Sequence, residues 1–346
     1  MRNETRLKFN AYLRQLATLN GVDDATKTFA VSPSVQQTLE TKMQESAGFL
    51  SRINVTGVTD QQGEKLGLSL SGPIASRTDT AAKSREPRDL STLDANGYHC
   101  RKTDYDSFIP YARLDAWARF PDFQTRIRDL LIHRQALDRI MIGFNGRSIA
   151  ATTDPEANPL LQDVNKGWLQ KARENAPERV MHEGVTDSGK IIVGGANGDY
   201  RNLDALVYDA IQLLDPWHHE NAGLVALVGR GLMHDKYFPL VNQDSKATDT
   251  LAGDIIISQK RIGGLPAVQA PFFPDKTVLI TPLDNLSLYW QIGGRRRYVQ
   301  ENPARNRVDT FESSNDDYVV EDYGQLALVE NIELVEEVKQ PAGEQA

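Results

Sequence analysis

The sequence predicts an α+β fold, on three observations. A long amphipathic helix can be drawn from Asp122 to about Gly143. β-type alternation dominates two separate stretches, 52–115 and 284–334. Between them, residues 200–283 read as a compact α/β unit in which helical and strand patterns alternate. A chain of 346 residues can bury a large core and commonly forms two domains.

Taken in order, residues 2–19 predict a short amphipathic helix. Phe9, Tyr12, Leu13, Leu16 and Leu19 recur at helical spacing, and Asn20-Gly21 ends the run. A helix this short is marginal alone and needs a partner surface. Residues 21–33 form a polar linker ending at Pro33. A second helix follows, from Ser34 to Leu50, with Val35, Leu39, Met43 and Phe49 near one side. Residues 52–115 alternate as strands around a polar, turn-rich middle with almost nothing to bury, which predicts a long hairpin arm. Two strands in isolation are barely stable, so such an arm has to lie on something.

The long helix comes next. Phe123, Ile127, Leu130, Leu137, Met141 and Phe144 share a stripe at 100° steps. Arg128 and Arg139 lie opposite it, and Arg134 interrupts it. Pro121 precedes the helix, where its missing N–H costs nothing, and Asn145-Gly146 closes it with residues that tolerate left-handed backbone. Its length is about 33 Å. Gly167 to Asn175 predicts a helix containing Trp168, and Lys190 to Val193 a short strand in a Gly-rich stretch. The α/β unit contains helices at Leu203–Leu214 and Gly231–Val241 and apolar strands at Leu224–Val228 and Asp254–Ser258. Strand patterns then resume in LSLYWQI, RRRYVQ, DYVVEDY and LALVENIEL. The tail 336–346 is polar, carries Pro341 and Gly343, and is expected to be disordered.

The net charge is −8, which argues against condensing nucleic acid by neutralising its phosphates. Residues 1–29 carry +2, leaving −10 for the remainder, so the N-terminus is a mildly basic, separate piece. Cys100, alone of its type, rules out an intrachain disulfide and a multi-cysteine metal site, and suits a cytoplasm. No apolar run approaches the roughly 18 residues of a membrane span, and no signal peptide is visible.

Motifs for chemistry are nearly silent. His218-His219-Glu220 with His234 is the best metal candidate, but adjacent histidines diverge on regular structure and no HExxH is present. An alternative function on those residues is a metal-dependent hydrolase. GGANG at 194–198 lacks the Lys-Ser/Thr of a phosphate-cradling loop, and GxSxG is absent. His99 and Cys100 are neighbours on a strand and face opposite ways. Asp316-Asp317 and Glu321-Asp322 are expected to be surface charge, and Arg295-Arg296-Arg297 to be solvated or interfacial after a turn at Gly293-Gly294. This silence favours a structural role without enzymatic activity or cofactor.

Blocks from end to end carry a resemblance. They include RNETRLKFNAYL at 2–13, MQESAGFLSRIN at 43–54, LDAWARFPDFQTRIR at 114–128, GFNG at 143–146 and NPLLQDVNKGWLQ at 158–170. APERVM at 176–181, LVGRGLMHDKYFPLVN at 227–242, DIIISQKRIGGLPAV at 254–268 and DYVVEDY at 317–323 complete the set. In order, spacing and length the chain resembles the major capsid proteins of P2-type tailed bacteriophages.

That resemblance implies the HK97-like capsid fold. Residues 1–29 would be a scaffold-like propeptide removed by the maturation protease, with the cut near Phe29-Ala30. Residues 30–52 would be the N-arm and 53–115 the extended E-loop. Residues 116–199 with 284–335 would form the peripheral domain, with 122–143 as its spine helix, and 200–283 the axial domain. It further implies a late protein of the virion, assembled in the host cytoplasm as pentamers and hexamers into an icosahedral procapsid. Its partners would be its own copies, an internal scaffold with the maturation protease, a portal protein, and packaged double-stranded DNA held without specific binding; no membrane is involved. An enzyme-loading nanocompartment would share the fold, but the basic propeptide argues against it. Lys65 and Lys83 lie in the arm, although a covalent cross-link would also need an Asn and a carboxylate on neighbouring copies.

Overall fold

The computed structural model describes residues 1–65, 75–87, 97–185, 189–233 and 260–335. The chain divides into two units by contact. The first holds residues 1–65, 94–167 and 286–319; the second holds 66–93, 168–285 and 320–346.

The first unit is built on a sheet crossed by helices. Helix α1, Asn3–Asn20, ends at Gly21, whose φ of +65° lets its N–H reach the Ala17 and Thr18 carbonyls. Helix α2, Pro33–Ser46, starts with Pro33 in its first turn. Helix α3, Tyr111–Trp117, leads into α4, Phe123–Asn145, the longest helix described. The sheet runs 29–30, 296–302, 307–320, 286–291, 54–58, and strands 101–104 and 107–110 also pair with 307–320. The 14-residue strand Arg307–Val320 is its spine. Strand Asn54–Val58 runs parallel to Leu286–Gln291, so the arm leaves from a sheet edge. Gln62–Gly63 then pairs antiparallel with Tyr98–His99, the base of a hairpin. Most of the arm's outer part, 66–74 and 88–96, lies outside the described residues.

Helix α4 departs from its sequence pattern in two ways. Leu130, placed on the stripe, is 47% exposed, whereas Arg139, placed opposite it, is buried. The buried face rotates because the C-terminal half of α4 sinks into the unit, where Gln135, Ala136, Arg139, Ile140 and Ile142 are all covered. The closing glycine also has a different reason. Gly146 has φ −62°, an ordinary value, but a Cβ there would collide with the Asn165 carbonyl oxygen. Close backbone approach, not handedness, requires glycine at this point.

The second unit is a six-stranded mixed sheet in the order 261–262, 265–268, 224–228, 278–282, 327–329, 180–181. Leu224–Val228 is parallel to Leu265–Val268 and antiparallel to Val278–Pro282. An all-apolar strand in that central position is buried by its neighbours and by helix packing. Leu203, Leu206, Val207 and Ala210 of helix α6, Leu203–Ala210, share a core with Leu224, Ala226, Val278 and Ile280. A preceding helix α5, Trp168–Asn175, buries Trp168, Leu169 and Ala172.

The contacts divide the chain at Gly167/Trp168, Asn285/Leu286 and Val319/Val320, against an expected second unit of 200–283. Of the last strand runs, Ala327–Val329 pairs with Val278–Pro282, and Ile332–Leu334 with Ile191–Val193. The expected strand at 254–258, the helix beyond Met233, and the tail 336–346 lie outside the described residues.

Candidate functional site

Two features of the first unit stand out as built, and neither is a pocket for chemistry. The first is the seat of α1. Thr5, Phe9, Leu16 and Ala17 turn inward. Phe9, Leu16 and Ala17 join Ile109, Leu114, Phe123, Ile127, Val299 and Val308 in one apolar cluster. The helix is pinned at its N-terminal end by charge. Arg6 donates from both terminal nitrogens to the two Glu301 oxygens, at 2.7 and 2.6 Å. Tyr111 donates its hydroxyl to Glu301 Oε1 at 2.6 Å. The Arg6 hydrogen bonds, aided by Tyr111, outweigh partial burial and hold the Glu301 carboxyl at about 2. Burial, with the Glu301 contact, pushes the Tyr111 phenol up to about 12. The Arg2 backbone N–H donates to Asp115 at 2.9 Å, and Arg297 donates to the Tyr12 hydroxyl at 3.1 Å.

The connecting segment is not a loose tether throughout. Asp23, Asp24 and Thr26–Thr28 are exposed, but Ala25, Phe29 and Val31 are buried. Phe29–Ala30 is a two-residue strand paired with Arg296–Arg297. Of the expected processing pair, Phe29 is therefore covered and Ala30 exposed.

The second feature is a buried ionic network that joins α2, α4 and the sheet. Arg139 on α4 donates to Glu40 on α2, and to Asp316 on the long strand at 2.9 Å. Arg295 donates to Glu40 at 2.9 Å and to Glu312 at 2.6 Å, and also bonds Gln135. Tyr105 donates to Asp316 at 2.9 Å. With Arg297 beside Glu312, three cations balance three carboxylates. Burial alone would raise the Glu312 carboxyl, but the Arg295 and Arg297 charges with hydrogen bonds from Arg295 and Gln135 hold it at about 2.

These findings reverse several sequence expectations. Asp316, Asp317 and Asp322 are buried rather than surface charge. Asp317 accepts from the His99 N–H, and Asp322 from Gly324 and Asn285. Arg295 and Arg297 are buried, leaving Arg296 as the exposed member of the basic run. One signal in the sequence did point inward. Gln36, Glu40 and Met43 recur at helical spacing on α2 and form its buried face, whereas Val35 and Leu39 are only half-buried.

His218 and His219 turn to different partners. His218 is buried with Nε2 3.4 Å from Asp322, while His219 Nε2 meets the Leu214 carbonyl at 3.0 Å. His234 lies outside the described residues. Among the described residues no group of three metal-ligating side chains comes together, and no helix is long and apolar enough to cross a membrane. Cys100 is buried with Val58, Tyr98, Tyr289 and Val319.

Aromatic rings are nevertheless left in water. In the first unit Phe311 is exposed and stacks on Tyr298 at 5.6 Å, and Arg307 lies 4.4 Å over exposed Phe108. In the second, Tyr208 and Trp217 are exposed. Such rings are the surface that contact with another molecule would cover.

Comparison with known sequences decides the family. The family model described as phage major capsid protein, P2 family, matches residues 8–332. The chain belongs to the P2 family of phage major capsid proteins. Two P2-family relatives span nearly its full length. The protein described as capsid proteins of Escherichia phage P2 is 52% identical over 342 residues, covering 96% of either chain. The major capsid protein of Serratia phage KSP20 is 45% identical, covering 96% of this chain and 97% of that one. A solved structure of the satellite phage P4 procapsid, including its size determination (Sid) protein, contains a chain 51% identical to this one. It covers 97% of this chain and 99% of its own, with a TM-score of 0.81. The fold of this P2-family capsid protein is HK97-like. Its relatives are structural proteins of the capsid, so its place is the virion.

Proposed function

We propose that this capsid protein assembles as pentamers and hexamers into an icosahedral procapsid, which N-terminal proteolysis and expansion mature around packaged double-stranded DNA. In this reading residues 1–29 are the removable propeptide, 30–52 the N-arm, and 53–115 the E-loop. Residues 116–199 with 284–335 form the peripheral domain, with α4 as its spine, and 200–283 the axial domain. The observation that carries the reading is the seat of α1. It is a folded helix held by its own side chains and joined to the rest by a segment exposed at residues 23, 24 and 26–28. A protease can remove such an element without cutting the core. The cut falls near Phe29-Ala30 once that two-residue strand peels from Arg296–Arg297.

The hairpin base at 62–63 and 98–99 supports an arm that finds its cover on a neighbouring copy, as do the exposed rings of Phe108 and Phe311. The acidic balance suits a shell filled by a motor, whose lining lets DNA slide. The internal scaffold with its maturation protease, and the portal, are the remaining partners, all met in the host cytoplasm; catalysis and cofactors have no part.

Electron microscopy of the overexpressed chain, with and without a co-expressed scaffold, tests the class: closed shells or capsomers are expected, and an inert monomer at every concentration would refute it. Sequencing the N-terminus of filled heads tests processing, for which an intact Met1 is the contrary result. Deleting Ser76 to Asp94 should leave a soluble subunit that closes no shells.

A further inference from the structure

We propose that α1 remains seated after the linker is cut: residues 3–20 and the surface beneath them form a helix–groove recognition pair that needs no covalent link. The inference rests on the reading of residues 1–29 as a propeptide, and adds that scission and release are separate steps.

The contacts that hold α1 are its own. Phe9, Leu16 and Ala17 fill a groove walled by Leu114, Phe123, Ile127 and Val299. Arg6 grips Glu301 with two parallel hydrogen bonds, a geometry that fixes register as well as charge. Arg2, just before the helix, and Tyr12, at its middle, add bonds to Asp115 and Arg297. None of these contacts runs through the exposed residues at 23, 24 and 26–28. Cutting there removes only the effective concentration that the tether supplies. The groove therefore selects an amphipathic helix with an arginine one turn before a buried phenylalanine, and residues 3–20 are the segment of this chain seated in it. Emptying the groove uncovers Phe123 and Ile127, so the first turns of α4 stay clamped until the peptide departs.

The test places a site-specific protease sequence in the exposed turn of the full-length chain, replacing Thr26–Thr28. After cutting, size-exclusion chromatography at about 0.1 M salt should return the N-terminal fragment with the body. A fluorescent synthetic peptide of residues 1–22 should exchange into the nicked protein and be displaced by unlabelled peptide. Phe9→Ala in the peptide should weaken exchange about 100-fold, and Arg6→Ala about three- to tenfold, more at low salt. The proposal is overturned if the fragment elutes alone while the body keeps its circular dichroism and elution volume, or if Phe9→Ala binds as well as the parent peptide. Neither result depends on the natural protease. Met1 persisting in filled heads would sink the propeptide reading alone, and the nicked chain would still report on the groove.

Discussion

Glu40 and Arg139 share a salt bridge in which each side chain is 1% exposed, although 99 residues separate them in the chain. The pair fastens α2 to the long helix. Its neighbours are arranged unequally. Without Glu40, Arg139 keeps Asp316 and Arg295 keeps Glu312. Without Arg139, Asp316 keeps, among the described residues, only the neutral donors Tyr105, Ser314 and the Asn165 contact on its backbone. Loss of one partner of a buried pair costs most where it strands a charge.

Arg139→Met should therefore destabilise the chain by about 3–5 kcal/mol, and Glu40→Gln by about 1–2 kcal/mol. Denaturant titration of both variants checks the order. Equal losses would mean that α2, not the strand, is the main partner of Arg139.

Acid sensitivity follows from the same network. Glu312 has its folded-state value lowered from an ordinary 4.5 to about 2. A lowered carboxylate stabilises the fold above its unfolded value, and that stabilisation is lost as pH falls from about 4.5 toward 2. The amount at stake is roughly 3 kcal/mol. Unfolding free energy measured from pH 6 downward should fall through that window. Glu312→Gln should be less stable at neutral pH and flatter in the acid limb. Glu301 titrates in the same window, but its pair with Arg6 is half-exposed, so its share should shrink with added salt.

The end of the long helix depends on absent side chains. A Cβ at Gly146 would meet the Asn165 carbonyl oxygen, and one at Gly167 the carbonyls of Ile142 and Gly143. All of these are backbone atoms, which cannot step aside as a side chain can. Gly146→Ala and Gly167→Ala should each cost about 1–3 kcal/mol and lower the thermal midpoint. A substitution at Gly21, with open space around it and only a positive φ to satisfy, should cost less.

How far the sequence could be read depended on range. Helices α1, α2 and α4 and the strand Leu224–Val228 were legible because their periodicity is local. The buried charges were not. Arg139 has partners 99 and 177 residues away, and no window along the chain contains both ends. Asp316 sits beside Asp317 and reads as surface, because a carboxylate pair carries no mark of an arginine arriving from another helix. Gln36, Glu40 and Met43 could have been read as an inward face, but the apolar Val35 and Leu39 beside them gave the stronger periodic signal. The seat of α1 was half legible. Its spacing demanded a partner surface, and composition could not say that the partner was this same chain.

The long helix is held differently at its two ends, and this gives the last prediction. Residues 135–144 are fixed by Arg139, by Gln135 against Glu312, and by the backbone crossing at Gly167. Residues 123–131 bury only Phe123 and Ile127, and both lie in the cluster that α1 completes. Local opening free energy follows local cover, so removing α1 should loosen one end alone. Hydrogen exchange on the chain lacking residues 1–29 should show the amides of 126–131 exchanging at least about tenfold faster. Those of 136–144 should be unchanged. Uniform acceleration along α4 would show that the ionic network, too, relies on the N-terminal helix, and would place the clamp on the whole unit instead of the first turns.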